Sequence, residues 1–142
     1  MKKIIIPYDG SAAARRALLH LVDTIKGSPD VQVHVLNVQE SPAYLDSCLD
    51  AATIKQIEQS IAAAGRKTVL EAAEVLQQAS IPHQLHVHVG PIAETIAQQA
   101  EVLGCKLLIM GTRGLGAFSG LLLGSVATKV IHLVDIPITL VK

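Results

Sequence analysis

Residues 105–125 read CKLLIMGTRGLGAFSGLLLGS, and the parsing of this stretch decides the fold. Cys105 to Gly111 is an apolar run of strand length, broken only by Lys106. Gly111 to Ser125 holds five glycines, one arginine and two serines, a composition that disfavours a helix. From Ser125 to about Leu133 the pattern turns helical. A short apolar strand, a glycine-rich connection and a helix form the repeating unit of a parallel α/β sheet.

The same alternation extends in both directions. Upstream, Pro91 sits at a helix start and Gly104 closes that helix, the usual asymmetry of the two residues. HQLHVHVG (83–90) alternates polar groups with Leu85, Val87 and Val89, as a half-solvated strand does. A long helix runs from Thr53 to about Ala79, opened by a capping-box pattern, Thr53 and Gln56. Its apolar side carries Ile54, Ile57, Ile61, Ala64, Thr68, Ala72, Val75 and Leu76, and Ile81-Pro82 ends it. Residues 40–52 read as a loop and VQVHVLNVQ (31–39) as a strand. Residues 11–26 place Ala13, Ala17, Leu18, Leu21, Val22 and Ile25 at helical spacing, with Ser11 positioned to cap and Gly27-Ser28-Pro29-Asp30 as a stop. KKIIIPY is a buried strand bounded by Asp9-Gly10-Ser11, and IPITLVK (136–142) is the last strand. Five strands alternating with four helices predict one α/β domain over 1–142, a parallel sheet covered on both faces. In such sheets ligands bind beyond the carboxyl ends of the strands, where strand order reverses. If the first and fourth strands are neighbours, Tyr8-Asp9-Gly10 and the glycine loop line one crevice.

Composition removes several functions. Twelve basic residues balance twelve acidic ones, so no basic patch marks a nucleic-acid or anionic-membrane partner. Aromatics are 2% of the chain (Tyr8, Tyr44, Phe118), too few for a base-stacking platform. No apolar run reaches the roughly 18 residues of a spanning helix, and the amino-terminal apolar run is too short for a signal peptide, so the expected location is the cytoplasm. Two cysteines make no disulfide framework: Cys105 reads as core filler, and Cys48 has no basic neighbour to activate it.

The glycine loop fits neither common phosphate motif. Gly124 is followed directly by Ser125, without the lysine of a Walker loop, and Gly114, Gly116 and Gly120 lack dinucleotide-fingerprint spacing. The physics of anion binding is nonetheless available. Gly124-Ser125 at a helix start offers unpaired N–H groups, the positive end of a helix dipole and a hydroxyl, and Arg113 is the one cation of the loop. Spacing alone leaves two readings open: a phosphate site, or a surface loop without a ligand.

With IIIPYDGS at the first strand–helix junction, LNV near the end of the second strand, and Gly-x2-Gly-x9-Gly-Ser met by Gly111, Gly114, Gly124 and Ser125, the chain resembles the universal stress proteins of the UspA superfamily. The resemblance runs from residue 3 to 142, and its glycine spacing is that of the ATP-binding members. It implies a Rossmann-like sheet in the order 3-2-1-4-5. It implies ATP as ligand and leaves open Mg2+ or Mn2+ beside it. Asp9 would face the adenosine, with Pro7 near the ribose, Val38 meeting adenine through its backbone and Gly111 against the ribose. Arg113, Gly114, Gly124, Ser125 and Val126 would surround the phosphates. The implied activity is that of a nucleotide-responsive regulatory module of the stress response. A slow ATPase and a nucleotide-free structural dimer stand as alternatives. Three departures stand out: Tyr8 is bulkier than usual, Lys106 replaces a common acidic residue, and Pro91-Ile92 replaces a polar-proline order. Of these, only Tyr8 is expected to bear on the ligand.

The remaining polar residues carry plainer expectations. Asp9 could also be only a helix-approach carboxylate. His86 and His88 share a strand face, but without a carboxylate or thiol at matching spacing they decorate a wet edge rather than hold a metal. His20, His34 and His132 are isolated and structural, and Arg15 and Arg16 are a solvated helix face. Ser125 has no base partner for nucleophilic catalysis, and no acid besides Asp9 lies near the loop. The final strand, 137–142, has Ile138, Leu140 and Val141 and no charge before Lys142. Such an unprotected edge invites a homodimer through antiparallel pairing.

Overall fold

The computed structural model describes residues 1–41, 49–115, 120 and 122–142. The strands are β1 (Lys2–Pro7), β2 (Val31–Gln39), β3 (His83–Val89), β4 (Leu107–Gly111) and β5 (Ile138–Val141). The helices are α1 (Ala12–Ile25), α2 (Ala51–Gln78), α3 (Ile92–Val102) and α4 (Ser125–Leu133). All four strand pairings are parallel, and the sheet order is β3-β2-β1-β4-β5. The alternation predicts such a parallel sheet, and its Rossmann-like order is the one the resemblance implies.

Strand periodicity sorts the core onto two faces. Ile4, Ile6 and Tyr8 of β1 and Val31, Val33 and Val35 of β2 pack with Leu18 and Leu21 of α1 and Val69, Ala72 and Leu76 of α2. Ile5, Leu36, Leu108 and Met110 point the other way, to Ala93, Ile96 and Ala100 of α3 and Ala127 and Val130 of α4. Among the described residues no helix is long and apolar enough to cross a membrane.

The second helix departs from its sequence reading at both its start and its buried stripe. It begins two residues before Thr53, because the carboxylate of Asp50, not a Thr53 box, caps it by accepting from Thr53 N at 2.7 Å. Its buried line runs through Gly65, Val69, Ala72, Ala73 and Leu76, whereas Ala64 is exposed and Ile54, Ile57 and Ile61 are half-buried. Gly65 is needed there because a Cβ would stand 2.6 Å from Asn37 Oδ1 and 2.8 Å from Val87 Cγ1. The expected loop 40–52 falls partly on residues 42–48, and these, with Tyr44 and Cys48, lie outside the described residues.

One further expectation is corrected. His34 is not isolated: buried in β2, its Nδ1 lies 3.0 Å from Nε2 of His86 on the neighbouring strand, and its own Nε2 has no partner. The ring centroids are 5.2 Å apart, so the two nitrogens face each other and hydrogen-bond. Arg15 and Arg16 are exposed, as a solvated helix face should be, with Arg15 paired to Glu71 at 3.4 Å and Arg16 Nε donating to the carbonyl of Lys142.

Candidate functional site

β1 lies between β2 and β4, and the chain leaves it in opposite directions on its two sides, so strand order reverses there. At the carboxyl ends of these strands is a cavity of about 650 Å3, within the usual range for a small-molecule site. All nine residues singled out by sequence line it: Pro7, Asp9, Val38, Gly111, Arg113, Gly114, Gly124, Ser125 and Val126. Gly116 and Phe118 of the same loop lie outside the described residues.

The β1–α1 junction is built by its own side chains. Gly10 turns the chain at φ +78°, a conformation that favours glycine. Asp9 Oδ1 accepts from Ser11 N at 2.9 Å, and Ser11 Oγ caps α1 by accepting from Ala14 N at 3.2 Å. Asp9 is therefore a helix-approach carboxylate and a cavity-lining group at once. Gly111 carries β4 past this turn. A Cβ on it would meet the Ala13 carbonyl carbon at 2.7 Å and Ala14 N at 2.9 Å, so glycine is required there by backbone packing as well as by the cavity.

The β4–α4 junction is different. Thr112 N donates to Val141 O at 2.8 Å, and Thr112 O accepts from Gly124 N at 2.6 Å, which pins both ends of the loop. Gly124 is the N-cap residue, and no side chain caps the helix. The Gly124 N–H is thus consumed, whereas those of Ser125, Val126 and Ala127 have no intrahelical acceptor by the geometry of a helix start. Exposed Arg113 lies beside them, and Gly114 lets the loop pass Asp9, whose Oδ2 would be 2.9 Å from a Cβ there. An uncapped helix start facing a cavity with a cation alongside is suited to an oxyanion.

Several lining residues were missed by sequence reasoning. Buried Asn37 donates through Nδ2 to Tyr8 O at 2.8 Å, accepts from Gln39 Nε2 at 2.9 Å, and so ties β2 to the end of β1. Leu36, Met110, Ile92 and Ile96 supply apolar wall, and Glu40 adds a second acid to the cavity. Contact through Ile92 means that the Pro91-Ile92 departure does bear on the site. Tyr8 also lines the cavity, while its buried side chain joins the core under α1 and α2. Lys106 is exposed and does not line the cavity. No group of three or more metal-ligating side chains occurs among the described residues.

Comparison with known proteins agrees with this architecture. The model of the universal stress protein family matches residues 1–142. A universal stress protein from Thermus aquaticus is 30% identical over 142 residues, which cover 99% of this chain and 98% of that one. The solved structure of the hypothetical protein MJ0577 superposes with a TM-score of 0.89 at 26% identity, covering 99% of this chain and 95% of that chain. A universal stress protein family protein from Arabidopsis thaliana with AMP bound shares the fold at a TM-score of 0.73 and 17% identity, over 100% of this chain and 92% of its own.

Proposed function

The chain belongs to the universal stress protein family, and from that premise we propose that it is an adenine-nucleotide-binding regulatory module of the stress response rather than an efficient enzyme. The observation that carries this reading is the convergence of the nine residues on one cavity that the uncapped start of α4 faces. In this reading the adenosine lies toward Pro7, Asp9, Val38 and Gly111. The phosphates meet Arg113, Gly114, Gly124, Ser125 and Val126, with ATP the ligand that the glycine spacing implies. The AMP carried by the Arabidopsis relative supports the choice of an adenine nucleotide. The protein works in the cytoplasm as a homodimer joined through β5.

Calorimetry with AMP, ADP and ATP tests the ligand assignment. The Cβ of Gly124→Val stands in ordinary van der Waals contact with Thr112 O at 3.4 Å while the branched side chain obstructs the helix start, and a thermal melt reports whether the variant is folded. Loss of binding in a folded variant is expected, and unchanged affinity would remove the loop from the site. Light scattering tests the dimer: a monomeric mass at micromolar concentration would contradict pairing through β5.

A further inference from the structure

The β1–β2 ladder stops one bond short of where its register would carry it. Along β2 the even-numbered residues turn their N–H and C=O toward β1 and the odd-numbered ones toward β3. Leu36 O accepts from Tyr8 N at 2.8 Å on one side, and Val33 N donates to Pro82 O at 2.9 Å on the other. The next rung of a parallel pair in this register runs from Val38 N to Tyr8 O. Among the described residues no such bond occurs. Tyr8 O accepts instead from Nδ2 of Asn37 at 2.8 Å, and the strands part with Val38 on the cavity wall.

The Asn37 amide is held for this contact. Its side chain is buried, and Oδ1 accepts from Gln39 Nε2 at 2.9 Å, which leaves Nδ2 for Tyr8. Behind it α2 passes so close that a Cβ on Gly65 would stand 2.6 Å from Oδ1. A buried carbonyl is costly to leave unpaired, so without Nδ2 the group that satisfies Tyr8 O is the ladder donor, Val38 N. Resting on the reading that an adenine nucleotide binds with its adenosine toward Val38, we infer that Asn37 is a positioning residue. By capping the end of β1 with its side chain, it keeps the Val38 N–H out of the sheet and open to the base. It acts through Tyr8 O and Val38 N, and its loss lets the ladder close by one further rung.

Amide hydrogen exchange of the ligand-free full chain, read by NMR, tests this. Asn37→Leu keeps the bulk of the side chain and removes the donor, and Asn37→Ala is the smaller replacement. Thermal melts report which variants are folded. Val38 should exchange faster than Leu36 in the wild type, and at least about tenfold more slowly in a folded variant, where it bonds to Tyr8 O. In that variant adenosine and AMP should each bind about tenfold more weakly, whereas loss of a phosphate contact spares adenosine. A wild-type Val38 amide as protected as that of Leu36 overturns the role of Asn37, whether or not either variant folds. So does an unchanged Val38 exchange rate in a folded variant. A Val38 amide that is open in the wild type and closed in the variants, in a protein that binds neither adenosine nor AMP, overturns the nucleotide reading instead.

Discussion

Two strand-to-helix junctions meet at the same cavity, and they satisfy their helix starts in opposite ways. At β1–α1, Asp9 and Ser11 supply oxygens to the backbone N–H groups of Ser11 and Ala14. At β4–α4, the loop is closed by a backbone bond from Gly124 N to Thr112 O, and no side chain caps the helix. Both helices begin at the carboxyl edge of the sheet, so position alone does not make an anion site. The difference is whether the chain's own oxygens have already occupied the amides. At the first junction the Ser11 hydroxyl takes one of the three leading amides of α1, that of Ala14, whereas no side chain takes any of the three of α4.

The comparison breaks most severely at Gly111, where the two junctions touch. Gly111→Ala puts a Cβ into the backbone of Ala13 and Ala14, which cannot step aside, and should cost about 2–3 kcal/mol in urea denaturation. Gly124→Ala, by contrast, meets its nearest atom at 3.4 Å and should cost no more than about 1 kcal/mol. Removing the cation, Arg113→Ala, should weaken phosphate-bearing ligands about tenfold and leave adenosine nearly unchanged. Equal losses would assign Arg113 to loop structure. Next come the two serines. Ser11→Ala removes a cap and should lower stability by about 1 kcal/mol, whereas Ser125→Ala, with no cap to lose, should stay within about 0.5 kcal/mol and register in nucleotide affinity instead. Acid supplies a control remote from both junctions. Burial, and then the charge of a neighbouring histidine, hold His34 and His86 below the ordinary imidazole range. The unfolded chain therefore takes up protons first. Stability contributed by the neutral pair is full above about pH 6.5 and falls as pH drops below it. A melting temperature that does not fall between pH 7 and pH 5.5 would contradict this.

Much of this was legible because periodicity is local. Alternation and 3.6-residue spacing named every strand and helix, and the resemblance carried by Gly111, Gly114, Gly124 and Ser125 implied the strand order that brings β1 beside β4. What escaped depends on partners distant in sequence. Gly65 scores as neither apolar nor favourable in a helix, and its role emerges only when α2 crosses Asn37 and Val87. His34 and His86 are 52 residues apart and meet through the β2–β3 register. Glu40, one residue past β2, reaches the cavity only because β2 ends there. At the start of α2 the Thr53–Gln56 pattern pointed to a capping box, but the chain turns helical two residues earlier, where Asp50 accepts from Thr53 N.

The central claim is that the unoccupied amides of α4, and not those of α1, receive the phosphate. Backbone amide chemical shifts followed by NMR during titration with AMP test it directly. The account predicts saturable shifts at Ser125, Val126 and Ala127, with Ser11 and Ala14 moving much less because their N–H groups stay bonded to Asp9 and Ser11. Shifts centred on Ser11 and Ala14, with Ser125 to Ala127 unmoved at saturation, would contradict it.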